Sequence, residues 1–115
     1  LVLITDCTRA GGLADGEYTL GGQPIFVKGI ECRLADGTIA GSVLKLNEAV
    51  RNLMENTQLP VWDAVNAASL NPARRIGVAD RKGSLEAGKD ADIVICDAHF
   101  NVRATISGGR TIYTA

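Results

Sequence analysis

Apolar and polar positions alternate with different periods in successive parts of the chain. Residues 1–4 are continuously apolar, and this pattern predicts a strand over residues 1–5 that is buried on both faces of a parallel sheet. Residues 10–37 are rich in glycine and turn pairs and predict a long loop that contains a hairpin or two. Short β segments are expected there around Tyr18 and over residues 25–30.

A helical period of apolar residues begins after Ser42, which is a residue type that caps helix N-termini. Pro60 opens a second helix, because proline is tolerated in the first turn. The pair Asn71 and Pro72 ends that helix and begins a further turn, which Gly77 closes. Residues 42–77 are therefore predicted to be helical.

After Gly77 the apolar residues recur with a period of two. Strands are predicted over residues 91–97, 101–106 and 110–113, with Gly108 and Gly109 as a hairpin turn. The change in period predicts two domains, residues 1–77 and residues 78–115. The fold class is therefore α/β in the first part, with an all-β tail.

Composition excludes several functional classes. The net charge is −1 with 22% charged residues, and aromatic residues make up 4%, so neither a polyanion partner nor a base-stacking platform is expected. No apolar stretch approaches the roughly 20 residues of a spanning helix, so no membrane partner is expected. Three cysteines without a C-x-x-C pair are typical of reduced thiols in a cytoplasmic protein.

Asp6 is the candidate for chemistry, because it directly follows the apolar run. In α/β folds, reactive groups lie beyond the carboxyl ends of parallel strands, where a carboxylate can take a proton from water and later return it. The alternative is an aspartate that ends a strand and bonds to its own turn. His99 is the single histidine and is interpreted as a surface residue, so the chain holds no complete metal site.

Four segments of the sequence resemble known proteins. The segment "ASLNPARRIGVADRKGSLEAGKDADIVICD" is similar to the C-terminal part of the metal-dependent amidohydrolase superfamily, where the last barrel helix leads into a small β-sandwich. The segments "LITDCTRAGG", "DGEYTLGGQ" and "ADGTIAGSVLKLNEAVRNL" resemble one family within it, the N-acetylglucosamine-6-phosphate deacetylases. The resemblance implies a C-terminal fragment that contains the last strand and helices of a (β/α)8 TIM barrel and part of the β-sandwich.

The resemblance also implies roles for individual residues. Asp6 matches the aspartate at the end of the eighth barrel strand, which is the general base and acid of the family and a possible ligand in two-metal forms. Ile39, Ala40 and Gly41 match a loop that touches the sugar. Cys7 stands where alanine is common, a small-for-small change.

The implied cofactor is a divalent metal ion, zinc or iron, which polarises the amide carbonyl and lowers the pKa of bound water. Its other ligands lie upstream of this chain in the family. The implied partners are N-acetylglucosamine 6-phosphate, the missing N-terminal portion and a second subunit of a homodimer. Two alternatives stay open: another amidohydrolase, such as a cyclic-amide hydrolase or a deaminase, and a non-catalytic β-module used for assembly.

Overall fold

Seven strands and three helices follow one another along the chain, which the computed structural model describes over residues 1–115. They fall into two compact units. The smaller unit is Ile4–Leu46, and the larger unit consists of Leu1–Leu3 and Asn47–Ala115. The predicted boundary near residue 77 lies inside the larger unit. The mixed α/β class is confirmed.

The smaller unit is a four-stranded antiparallel sheet with its strands in chain order. The strands are β1 (Gly16–Leu20), β2 (Gln23–Lys28), β3 (Glu31–Leu34) and β4 (Ile39–Gly41). Gly21 and Gly22, with φ of 59° and 83°, form the β1–β2 turn, because a two-residue hairpin turn favours left-handed residues. The predicted hairpin is confirmed, and β3 and β4 extend it beyond the prediction.

One face of this sheet carries the core of the smaller unit. Along β2, Ile25 and Val27 are buried while their neighbours are exposed, as expected for a strand with one covered face. Ala10 and Cys32 complete the buried cluster. Partly buried residues that pack against it are Tyr18, Leu34, Ala40 and Val43.

The larger unit begins with the helices α1 (Leu46–Asn56), α2 (Val61–Ala68) and α3 (Leu70–Arg75). The helix predicted after Pro60 is confirmed as α2, but it ends at Ala68, and Asn71 and Pro72, which were predicted to end it, lie within α3. The prediction for α1 was wrong at its start, which lies four residues after Ser42. Ser42 Oγ does accept a hydrogen bond from Leu44 N at 2.8 Å, as a cap does, but the Ser42 backbone bridges to Cys7 and is therefore extended.

The strand predicted over residues 1–5 is absent from the structure, and this is a second correction. Leu1 and Ile4 are 71% and 73% exposed. A parallel strand needs hydrogen-bonding neighbours on both sides. Here the segment is held instead by α2 and α3: Leu3 N donates to Ala67 O at 2.8 Å, and Asn71 Nδ2 donates to Leu1 O at 2.9 Å.

The C-terminal part is a three-stranded antiparallel sheet of β5 (Ile93–Cys96), β6 (Val102–Ser107) and β7 (Arg110–Thr114). All three strands were predicted. Gly108 and Gly109 form the β6–β7 turn with φ of 54° and 78°, as predicted. Asn47 at the start of α1 donates to Phe100 O in the β5–β6 connection at 2.9 Å.

The connection between α3 and β5 is fixed by Lys89 and Gly83. The Lys89 ammonium is largely buried and donates to Ala79 O at 2.7 Å and to Ser84 Oγ at 2.6 Å. Gly83 has φ of 90°, and a Cβ there would lie 2.8 Å from the Cβ of Ala73 in α3. The connection therefore packs on α3 at a distance that only glycine allows.

Gly83→Ala should destabilise the protein more than Gly88→Ala does. Both glycines have φ of 90°, but nothing lies within 4 Å of a Cβ at Gly88. Gly88→Ala should therefore cost only the left-handed backbone strain, about 1 to 2 kcal/mol. Gly83→Ala adds overpacking of about 1 to 3 kcal/mol. Urea unfolding of the two variants measures the difference, and equal losses would contradict the close packing on α3.

Asp97 organises the β5–β6 connection. Its Oδ1 accepts from the backbone N–H groups of His99 and Asn101 at 2.9 Å, and its Oδ2 accepts from Asn101 Nδ2 at 3.0 Å and Arg103 Nη2 at 2.9 Å. The hydrogen bonds from Asn101, first from its side chain and then from its backbone, hold the pKa of Asp97 well below its ordinary value. Folding is therefore coupled to the ionisation of this carboxyl group.

Asp97→Asn should destabilise the protein at pH 7, and its difference from the wild type should shrink as the pH falls below about 4. A carboxyl group with a lowered folded-state pKa adds stability that is complete above the unfolded-state pKa and is lost below it. Free energies of unfolding measured from pH 7 to pH 2 test this. Asp80→Asn, at an exposed position, is the control. A difference independent of pH would refute the coupling.

Candidate active site

Asp6 is exposed and has a backbone φ of 47°. Few residues other than glycine adopt this left-handed region, although aspartate and asparagine tolerate it better than most. Such conformations cost energy and cluster at functional sites, so Asp6 stays a candidate for chemistry. The side chain is displayed at the surface of the smaller unit.

The backbone directly after Asp6 is bound to the segment that follows β4. Cys7 and Ser42 form an isolated parallel bridge, and Thr8 N donates to Ser42 O at 2.8 Å. Gly41, the last residue of β4, therefore lies beside this segment. Asp6 and the strand Ile39–Gly41 are more than 30 positions apart in sequence, and the structure brings them together.

Ile39, Ala40 and Gly41 form strand β4, and the prediction of a loop there was wrong. The turn pair Asp36 and Gly37 before it was visible in the sequence and could have indicated a further hairpin. Side chains alternate between the two faces of a strand. Ile39 is 70% exposed, whereas Ala40 packs against the core cluster, so Ala40 can meet a ligand only through its backbone.

Gly41 also has a packing role that the sequence did not indicate. Its φ is 150°, and a Cβ built there would lie 2.6 Å from Thr8 Cγ2. The absence of a side chain lets the segment after Asp6 approach β4 closely. Glycine is therefore required here even before any sugar is considered.

The residues of this chain do not fit a complete metal site. No group of three or more His, Cys, Asp or Glu side chains is close enough to hold an ion. His99 is exposed in the connection between β5 and β6. A cavity of ≈ 230 Å³ in the smaller unit is lined by Gln23, Pro24, Leu34, Ala35 and Asp36, and none of the candidate site residues lines it.

The sequence model of the amidohydrolase family matches residues 28–112. The chain belongs to the amidohydrolase family. The family assignment agrees with the resemblance seen in the sequence. The match does not extend to Asp6, and a match to a family assigns no role to single residues, so the roles of Asp6 and Ile39–Gly41 stay predictions.

Two individual members of the amidohydrolase family are similar to this chain over most of its length. N-acetylglucosamine-6-phosphate deacetylase of Bacillus subtilis is 47% identical over 98% of this chain, and N-acetylgalactosamine-6-phosphate deacetylase of Escherichia coli O157:H7 is 44% identical over 90% of it. The chain spans only 28% and 27% of the length of these two relatives.

A solved structure from Mycobacterium smegmatis is also similar to this amidohydrolase chain. It is an aspartate-to-alanine mutant of N-acetyl-D-glucosamine-6-phosphate deacetylase in complex with N-acetyl-D-glucosamine-6-phosphate. The sequence identity is 36%, the TM-score is 0.86, and the match covers 98% of this chain and 30% of the other. The fold described above, including the sheet of the smaller unit, is therefore similar to that of a solved deacetylase.

No helix of the structure has the length and apolar character needed to cross a membrane.

Proposed function

We propose that this chain is the C-terminal portion of an N-acetylglucosamine-6-phosphate deacetylase, which hydrolyses the acetamido group to give glucosamine 6-phosphate and acetate. The single observation that carries the proposal is the juxtaposition of Asp6 with β4 through the Cys7–Ser42 bridge. The chain's similarity to deacetylases over nearly its whole length supports it.

The proposal includes the completed barrel. In the whole enzyme, residues 1–5 form the eighth barrel strand, and the helices α1 to α3 follow it. The exposure of Leu1 and Ile4, and of Trp62 at 65% on α2, supports this part, since large apolar side chains of this kind would be buried in a completed barrel. The sheet of β5 to β7 is one part of the β-sandwich.

Asp6 performs both proton transfers of the reaction. Its carboxylate first takes a proton from the attacking water, whose oxygen bonds to the acetamido carbon. The protonated Asp6 then gives that proton to the amide nitrogen as the C–N bond breaks, so that the sugar leaves as a neutral amine and not as its poorly leaving anion. The products are acetate and the free amino sugar, and Asp6 ends as it began.

The backbone of β4 positions the sugar for this chemistry. The Ile39 side chain is 70% exposed and is available to the sugar, whereas the side of Gly41 where a Cβ would lie is occupied by the Thr8 methyl group. We propose that the divalent metal, zinc or iron, is held mostly by residues outside this chain. Asp6 is the candidate ligand within it.

The alternative substrate is N-acetylgalactosamine 6-phosphate, which differs in the orientation of one hydroxyl group. The N-acetylgalactosamine-6-phosphate deacetylase of Escherichia coli O157:H7 is nearly as similar to this chain as the Bacillus subtilis relative is. We place N-acetylglucosamine 6-phosphate first because the Bacillus subtilis relative matches 98% of this chain, whereas the Escherichia coli relative matches 90%. Relative kcat/KM for the two sugars, measured on the full-length protein, distinguishes them.

The remaining parts of the proposal concern the cellular setting. The thiols Cys7, Cys32 and Cys96 are free, which supports a cytoplasmic location. A homodimer of the whole enzyme is proposed from the family resemblance, and sedimentation of the full-length protein tests it.

Asp6→Asn in the full-length protein should keep the fold and lower kcat by on the order of 10²-fold or more, because the asparagine side chain cannot take up the proton from water. Asparagine tolerates the left-handed backbone, so the loss is not expected to come from unfolding. Acetate release and thermal unfolding are the two measurements. Turnover within a few-fold of the wild type would exclude Asp6 as the proton carrier.

The isolated 115-residue chain should neither hydrolyse the sugar nor bind zinc or iron tightly, since about three protein ligands are needed for a hydrolytic site. Adding the N-terminal portion of the enzyme should restore metal binding and activity together. Metal titration and acetate release on the purified chain test this. A stoichiometric site of about micromolar affinity in the chain alone, or turnover without the N-terminal portion, would contradict the proposal.

A further inference from the structure

Thr8 makes three contacts that connect the Asp6 segment to its surroundings. Its N–H donates to Ser42 O at 2.8 Å, and its Oγ1 accepts from Ala10 N at 3.3 Å. Its Cγ2 lies 2.6 Å from the position that a Cβ at Gly41 would take. Ala10 is itself 1% exposed and belongs to the core cluster. Thr8 therefore contacts both β4 and the core from a position two residues after Asp6.

We infer that Thr8 is a positioning residue for the reaction: its methyl group, seated on the bare face of Gly41, sets the distance between the Asp6 carboxylate and the sugar-binding strand β4. This inference rests on the proposed function. It assigns a role to a residue that contacts neither the substrate nor the reacting atoms.

The methyl group cannot simply rotate away from Gly41. Threonine is branched at Cβ, so Oγ1 and Cγ2 turn together about χ1. Any rotation that removes Cγ2 from Gly41 also moves Oγ1 away from Ala10 N. The side chain is therefore fixed by a hydrogen bond on one side and by close packing on the other.

Fixing Thr8 restrains Asp6 because the chain between them is short. Consecutive Cα atoms are about 3.8 Å apart, so a displacement at Thr8 is transmitted across only two peptide units. The contacts between this segment and β4 begin at Cys7. Placing a side chain between Thr8 and Gly41 would push the segment away from β4, and with it the carboxylate.

A double-mutant cycle in the full-length protein tests the inference. Gly41→Ala places a Cβ against Thr8 Cγ2, and kcat and kcat/KM should both fall by on the order of tenfold or more, because small displacements of reacting groups are costly. Thr8→Ser removes the methyl group and keeps the hydroxyl group, so combining it with Gly41→Ala should restore most of kcat. Thr8→Val keeps the methyl group but loses the hydroxyl oxygen that accepts the hydrogen bond from Ala10 N.

Gly37→Ala is the matched control for backbone strain. Gly37 also has a left-handed φ, of 87°, but nothing lies within 4 Å of a Cβ there. Gly37→Ala should lower the melting temperature and leave kcat/KM within about twofold of the wild-type value, since the backbone strain at residue 37 is not transmitted to the site. A purely structural role for Thr8 predicts changes in melting temperature alone, so the recovery of kcat by Thr8→Ser is the deciding readout.

The outcomes separate this inference from the proposed function. The positioning role is wrong if Gly41→Ala lowers kcat and Thr8→Ser does not restore it. It is also wrong if Gly41→Ala leaves kcat/KM unchanged while Asp6→Asn abolishes turnover. In both cases the deacetylase proposal stands. If the wild-type protein releases no acetate from either sugar phosphate, the proposed function fails, and the positioning role fails with it. Recovery of kcat in the double variant supports both.

Discussion

The parallel bridge between Cys7 and Ser42 is the contact on which the candidate site depends. It places the exposed, left-handed Asp6 next to the end of β4, and it is supported by the Thr8 N–H group and by a glycine that leaves room for the Thr8 methyl group. Without this bridge the two segments would be linked only through the three hairpins between them. A site assembled in this way relies on backbone hydrogen bonds, which hold a carboxylate better than a free loop can.

The smaller unit supplies the rigid support for that bridge. Its core is built around Ile25 and Cys32, which are almost completely buried, and Ala40 packs against the same cluster. Strand β4 is therefore attached to the core through Ala40, while Gly41 packs against Thr8 and Ile39 is exposed. The larger unit, by contrast, buries mainly alanines along its helices, namely Ala49, Ala64, Ala67 and Ala73, together with Val50.

Local patterns predicted the elements whose hydrogen bonds are made within a short stretch of chain. The start of α2 after Pro60 and the hairpin turn at Gly108 and Gly109 follow from proline and turn chemistry. Residues 1–5 were misread because their apolar pattern describes a strand only when neighbouring strands are present, and none pairs with them in this structure. The start of α1 was misplaced because the bridge to Cys7, a contact distant in sequence, holds Ser42 in an extended conformation.

The sequence names candidate residues for the site, whose roles stay predictions, but it does not indicate how they are arranged. Asp6 and Ile39–Gly41 could be singled out from motifs, but no local rule indicates that Gly41 must accommodate Thr8, because that requirement comes from tertiary packing. The same limit applies to Ala40, whose burial removes its side chain from any ligand. Packing contacts between segments distant in sequence are what the structure adds.

The most direct test of the account is a crystal structure of the full-length Asp6→Asn protein with N-acetylglucosamine 6-phosphate bound. The account predicts that the acetamido group lies within about 3 Å of the residue 6 side chain, directly or through one water, and that the sugar lies against Ile39–Gly41. A substrate bound in an ordered way elsewhere, with the residue 6 side chain facing away from it, would contradict the account.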